Sequence, residues 1–139
     1  MKKILSIIAL TASLTGCAIF NPNCSSDELT TNTVYFDFDS SALRADAVDT
    51  LNKQAEILKA NDEEVLVSGH ADERGTREYN MALGARRASA VATYLEVRGV
   101  NPERITTISY GKEQPAVDEH NEEAWAKNRR AVIDLSDYD

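Results

Sequence analysis

Histidine, cysteine and aromatic residues are scarce in this chain, and each shortage narrows the chemistry open to it. In 139 residues there are two histidines, His70 and His120, and two cysteines, Cys17 and Cys24. They form no HExxH pair and no setting for a reactive thiol, and no nucleophile elbow is present. Basic residues are also in deficit, 15 against 23 acidic, for a net charge of -8. That balance argues against nucleic acid as a partner and against electrostatic adhesion to anionic lipid. Internal repeats and low-complexity segments are absent as well.

What is present begins with Met1, Lys2 and Lys3, followed by the apolar run ILSIIALTASL. The run is too short to span a bilayer and has the layout of a secretory signal over residues 1–16. Its end, Leu14-Thr15-Gly16-Cys17, resembles a lipobox, which makes Cys17 the expected site of lipidation and the first mature residue. Acyl chains contribute about 0.8 kcal/mol per buried methylene, and a triacylated cysteine meets the need for more than one chain. Ala18 stands where an aspartate would favour inner-membrane retention, so the expected address is the periplasmic face of the outer membrane. With Cys17 acylated, Cys24 has no intramolecular disulfide partner. Removal of Lys2 and Lys3 from the 15 basic residues leaves 13 against 23 acidic ones, a net charge of -10. Attachment to the membrane then rests on the lipid. Residues 17–32, rich in Asn, Pro, Ser, Asp and Thr, read as a lipidated tether; about 15 extended residues reach roughly 50 Å.

Residues 33–139 suffice for one domain with a single core. Thr33 to Asp39 alternates Val34, Phe36 and Phe38 against polar neighbours, a half-buried strand. Ser40 or Ser41 is the expected cap of a helix whose stripe is Leu43, Ala47, Leu51, Ala55 and Leu58. Glu64 to Gly69 reads as a second strand, Ile105 to Tyr110 as a third and Arg130 to Leu135 as a fourth. A second helix ends near Gly99 and Pro102, and a helical turn or more is expected around Glu122 to Lys127. The pattern predicts an α/β (α+β) sandwich: a mixed four-stranded sheet with two main helices packed on one face.

The stretch that organises the domain is GHADERGTREYNMALGARRASAVATYL, Gly69 to Leu95. Helical from Asn80 onward, it sets Asn80, Leu83, Gly84, Arg87, Ala88, Val91, Tyr94 and Leu95 on one stripe. Arg87 sits near the middle of that stripe and needs an anion or another partner there. Asp72 is the nearest acid suited to answer it. Two readings stand. The two side chains form a structural ion pair, or they are held apart as the two halves of a receptor for a small zwitterion, the acid taking an ammonium and the guanidinium forking onto a carboxylate. Two imitations of catalysis also stand beside these. His70 with Asp72 and Glu73 resembles part of a metal site, although a histidine at a strand end is more often structural. Asp37 and Asp39 invite a glycosidase reading, although their spacing only places them on one strand face.

Taken with TVYFDFDSSAL before it and RITTISYGKEQPAV and AWAKNRRAV after it, the central run resembles the family of peptidoglycan-associated lipoproteins, whose soluble part is an OmpA-like C-terminal domain. The likeness covers roughly Thr33 to Leu135. It implies no enzyme and no cofactor, but a binder of the peptide stem of peptidoglycan at meso-diaminopimelate, tethering the outer membrane to the wall. By the same resemblance Asp72 takes the ammonium, Arg87 the carboxylate, and Asn80 supplies an amide. Phe38 and Asp39 contribute from the loop after the first strand, and Arg129 and Arg130 edge the cleft. The implied partners are peptidoglycan, the propeller protein TolB and other components of the Tol-Pal system, which serves envelope integrity and cell division. TolB is expected to compete with the wall through loops near the cleft, with Tyr79 and the loops flanking Tyr110 as candidate contacts.

Overall fold

Two hydrophobic periodicities, one of strands and one of helices, build a sheet with a helical layer on it. The computed structural model describes residues 31–136. The signal segment 1–16, Cys17, Cys24, most of the tether and residues 137–139 of the acidic end lie outside these. Along the chain run β1 (Thr33–Tyr35), α1 (Ala45–Lys59), β2 (Glu64–His70), α2 (Arg77–Val97), a 3-10 turn (Pro102–Arg104), β3 (Ile105–Gly111), α3 (Glu122–Asn128) and β4 (Arg130–Ser136). The sheet order is β1-β4-β2-β3. β2 and β3 are parallel, while β4 runs antiparallel to both β1 and β2. This is the mixed four-stranded sheet the pattern predicts.

Alternation along the strands turns Val34, Val65, Val67, Ala131 and Ile133 to one face, where they share a core with Ala47, Leu51, Ala55 and Leu58 of α1 and Ala88, Val91 and Leu95 of α2. The three- and four-residue spacings on each helix are what make those side chains a single stripe. Each fully buried Leu or Val contributes about 1.5–3 kcal/mol of transfer free energy, so this shared layer is the main source of stability.

The structure departs from the sequence expectation at the start of the domain. β1 stops at Tyr35 instead of running to Asp39. The amide of Phe36 still bonds to the Arg129 carbonyl, but the Asp37 carbonyl accepts from the Ser40 amide, which closes a turn. Asp39 lies within the turn with φ at 53°, a left-handed conformation in which Asp is one of the tolerated residues. Nor does Ser40 or Ser41 cap α1: the helix begins at Ala45 with Arg44 as its N-cap and no side-chain cap. Ser40 instead accepts a bond on its Oγ from the Ala42 amide at 3.1 Å. α2 begins at Arg77, three residues before Asn80, because the Thr76 hydroxyl caps it by accepting from the Tyr79 amide. The turn expected near Glu122 is a seven-residue helix, capped by the Asn121 side chain.

α2 lies directly on β2 because both elements have a glycine where they cross. A Cβ on Gly69 would land on the carbonyl oxygen of Gly84, and one on Gly84 would sit 2.9 Å from the Gly69 carbonyl oxygen and against Ser109 Oγ. Ser109 Oγ donates to the Met81 carbonyl at 2.7 Å, which fastens β3 to the same helix. The close approach places Arg87, three residues beyond Gly84, over the end of β2. That end is His70, 3% exposed and stacked on Tyr110 with ring centroids 5.4 Å apart. Burial, reinforced by the charge of Arg130, lowers the His70 pKa to about 4, against a backbone hydrogen bond with Gln114 that works the other way. The imidazole is therefore neutral at neutral pH.

Gly69→Ala should lower stability by about 1–3 kcal/mol or more, because backbone atoms have to move to admit the methyl; a urea midpoint equal to that of the wild type would contradict the contact. For His70 the folded pKa lies below the unfolded one, so the unfolded chain binds the extra proton between pH 6.5 and 4. Stability should fall by up to about 3 kcal/mol as pH drops through that window. His70→Phe should flatten this part of the stability–pH curve, and an unaltered curve would count against a buried neutral imidazole.

Candidate functional site

The turn after β1, the loop 71–76 after β2 and the first turns of α2 enclose a cavity of about 220 Å³. Asp72 and Arg87 both line it, with Phe38, Asp39 and Asn80 among the other walls. Arg130 is not among the lining residues. Cys17 lies outside the described residues.

Arg87 is fully buried, the largest such side chain among the described residues. It makes no ion pair with Asp72. Its Nε donates to the Ser40 carbonyl at 2.9 Å, Nη1 to the His70 carbonyl at 2.8 Å and Nη2 to the Asp37 carbonyl at 3.1 Å. A guanidinium carries five N–H donors in a fixed fork, so one N–H on each terminal nitrogen remains after these three bonds. Burial lowers the Arg87 pKa to about 10, with the charge of Asp72 opposing the drop. The group thus stays cationic at neutral pH. It ties the 37–40 turn to the end of β2, which is why that turn abandons the strand conformation expected for it.

Asp72 is 4% exposed and answers to other arginines. Its Oδ1 accepts from the Arg74 amide at 3.0 Å and from Arg74 Nε at 3.2 Å, and its Oδ2 accepts from Arg74 Nη2 at 2.8 Å. Arg129 Nη1 lies 3.5 Å from the same Oδ2. Burial alone would raise its pKa, but the fork and amide of Arg74 and the charges of Arg74 and Arg129 outweigh it and hold the carboxyl below the usual carboxylate range. Of the two readings open at sequence level, the Asp72–Arg87 ion pair is absent; the two charges stand apart on one cavity, each held by other partners.

Asn80, 1% exposed, donates from Nδ2 to the Arg74 carbonyl at 2.8 Å and so fixes the loop that presents Asp72. Phe38 is 60% exposed, and its ring lies 4.1 Å from the guanidinium carbon of Arg74. The two adjacent arginines before β4 separate sharply. Arg129 turns inward, donating from Nε to the Phe36 carbonyl at 3.0 Å and from Nη2 to Glu122 at 3.0 Å. Arg130 points elsewhere and donates from Nη2 to the Gln114 carbonyl at 3.1 Å. Asp37 and Asp39 do not share a strand face, since both lie beyond β1; Asp37 is 3.5 Å from Arg44. Among the described residues no group of three or more His, Cys, Asp or Glu side chains is placed to hold a metal ion. His70 Nδ1 is buried without a hydrogen-bond partner.

Sequence reasoning did not single out Arg74 as a site residue, nor Tyr79, Gly75 and Leu83 as cavity walls. For Arg74 a signal existed, because an arginine two residues after a buried aspartate in a tight loop can close an Asx-type turn and fork back onto it.

Known proteins carry the same arrangement of elements. The OmpA family model matches residues 35–129. The peptidoglycan-associated lipoprotein of Pseudomonas aeruginosa is 52% identical over 101 residues, 73% of this chain and 60% of that protein. That of Brucella melitensis biotype 1 is 49% identical over 116 residues, 81% of this chain and 69% of that protein. Among solved structures, the peptidoglycan-associated lipoprotein from Burkholderia pseudomallei superposes with a TM-score of 0.76 at 40% identity, covering 84% of this chain and 98% of that one. The C-terminal domain of Helicobacter pylori MotB gives 0.72 at 26% identity over 78% of this chain and 86% of that one. The chain belongs to the OmpA family and, within it, to the peptidoglycan-associated lipoproteins.

Proposed function

We propose that this protein is an outer-membrane lipoprotein that binds peptidoglycan non-covalently and reads its meso-diaminopimelate residue, with no catalytic step. The observation that carries the reading is the cavity bounded by Asp72 and Arg87, two ionised groups that do not neutralise each other. Diaminopimelate differs from lysine in ending with both an ammonium and a carboxylate. A selective receptor therefore needs an acid and a base at a fixed separation. In this reading the ammonium meets Asp72, and the carboxylate takes the two N–H groups that Arg87 does not give to backbone carbonyls. Asn80 positions the loop that presents Asp72, and Phe38 and Asp39 line the side formed by the turn after β1. The names of the relatives, peptidoglycan-associated lipoproteins, support the same polymer as partner.

Residues 1–16 act as a lipoprotein signal and Cys17 receives the lipid, while residues 17–32 give the domain reach below the membrane. The family likeness supports a place in the Tol-Pal system, with TolB meeting loops at the cavity mouth and competing with the wall. Arg130, outside the cavity lining, is assigned to the flank of the β4 entrance. The inward member of that pair, Arg129, supports the acid.

Asp72→Asn should abolish co-sedimentation with diaminopimelate-type sacculi, a loss of about 2–5 kcal/mol, and lysine-type sacculi should bind the wild type poorly; undiminished binding by Asp72→Asn would remove the assignment. Arg87→Lys should lose binding too, but because it strands carbonyls in the interior it should also lower stability by on the order of 3 kcal/mol, so its binding is to be measured where the variant is folded by circular dichroism. A Cys17→Ser chain should leave the membrane fraction, and its retention there would contradict lipid anchoring.

A further inference from the structure

We propose that Arg74 is a built-in competitor: its guanidinium occupies the ammonium position at Asp72 and must swing out before a guest's ammonium can enter. The inference rests on the diaminopimelate reading for the identity of the guest, and on the geometry of Arg74 for the gate. Arg74 makes the bidentate fork with Asp72 that an incoming cation would need to displace. Its guanidinium carbon lies 4.1 Å from the Phe38 ring centroid and 4.1 Å from that of Trp125, so it is sandwiched between two aromatic faces. A cation flanked by two rings and facing a carboxylate is the arrangement by which proteins recognise ammonium ligands. Here the protein's own side chain fills it.

Three features make this cation exchangeable. The first is unequal burial: the Arg74 side chain is 33% exposed, whereas that of Asp72 is 5% exposed. Solvent therefore reaches the arginine but scarcely reaches the acid. The second is Arg129, whose side chain is 8% exposed and whose Nη1 stands 3.5 Å from Asp72 Oδ2. That nitrogen is buried and has no hydrogen-bond partner. Arg129 is anchored by the Phe36 carbonyl and Glu122, so when Arg74 leaves, a fixed cation still faces the carboxylate and the acid is not stranded in the interior. The third is a place to go. Glu122, with a side chain 68% exposed, already lies 4.0 Å from Arg74 Nη2 and offers the departing guanidinium an acceptor outside the cavity.

Trp125, the second ring, comes from α3 and is held by a bond from its Nε1 to Glu73 at 3.0 Å. The Trp125 ring thus keeps its place when the arginine moves, and it is left to flank the guest. Binding is then an exchange of cations at Asp72, and its apparent affinity is reduced by the fraction of molecules in which Arg74 is in place.

The experiment is calorimetric titration with the tripeptide L-Ala-γ-D-Glu-meso-diaminopimelate, alongside the emission of Trp125, the single tryptophan of the chain. Arg74→Gln should bind the tripeptide about tenfold more tightly than wild type, as expected if roughly nine molecules in ten have the gate closed. Wild-type Trp125 emission should change on binding, and that of Arg74→Gln should change less. Weaker or equal binding by Arg74→Gln overturns the proposal and makes Arg74 a ligand contact or a bystander. The gate is also read without ligand: Asp72→Asn breaks the fork and should alter Trp125 emission, and unaltered emission overturns the proposal. Failure of every form to bind the tripeptide, together with altered emission in Asp72→Asn, supports the clamp and sinks the diaminopimelate reading instead.

Discussion

The geometry of this domain depends on one buried cation, the guanidinium of Arg87, and on the three backbone carbonyls that solvate it. Those carbonyls belong to Asp37, Ser40 and His70, so a single side chain on α2 holds together the turn after β1 and the end of β2. Burying a charge without hydrogen bonds is strongly unfavourable. Meeting it with carbonyl dipoles instead of a carboxylate leaves the charge uncancelled, and that distinction separates a structural ion pair from a receptor. The glycine contact between β2 and α2 is the precondition, since a Cβ at Gly69 would push the helix away and take Arg87 out of reach of the His70 carbonyl.

Opposite Arg87 the same logic runs with the sign reversed. Asp72 is almost fully buried and remains ionised because two arginines face it, one from its own loop and one from the entry to β4. The cavity therefore has an acidic wall at Asp72, covered by the fork of Arg74, which also lines the cavity, and a cationic wall at Arg87, solvated by backbone carbonyls. In the proposed reading Arg87 is already in place for a zwitterionic guest, and the reorganisation left to the host is the displacement of Arg74 from Asp72. This arrangement also explains why polar groups are dense in loop 71–76: Asn80 and Lys112 bond the backbone of this loop, with Lys112 donating to the Gly75 carbonyl at 2.7 Å.

Much of this was legible in the chain. The helical stripe through Asn80, Leu83, Gly84, Arg87, Ala88, Val91 and Leu95 is buried as the period predicts, and Tyr94, on its edge, is partly buried against the core. The mixed sheet follows from strands and helices in alternation with β4 closing the chain. What periodicity could not supply was the partner of each charge. The spacing of Asp72 and Arg87 was compatible with a pair, and only the fold reveals that carbonyls reach Arg87 first. Phe36 and Phe38 read as one strand with Val34, because an apolar alternation continues through them, yet the demand of Arg87 for carbonyl oxygens bends the backbone at Asp37. The choice between Arg129 and Arg130 was likewise beyond a linear reading, since adjacent residues entering a strand point to opposite sides and the sequence does not say which side faces the acid.

The central claim is that the two walls take the two ends of one guest. It is tested most directly by a crystal structure of residues 31–139 with a bound meso-diaminopimelate stem peptide. The account predicts the distal ammonium within hydrogen-bond distance of Asp72 and the distal carboxylate at the Nη1 and Nη2 atoms of Arg87, with the bonds of Arg87 to the Asp37, Ser40 and His70 carbonyls preserved. A stem peptide bound elsewhere on the domain, or one whose carboxylate ignores Arg87, would contradict it.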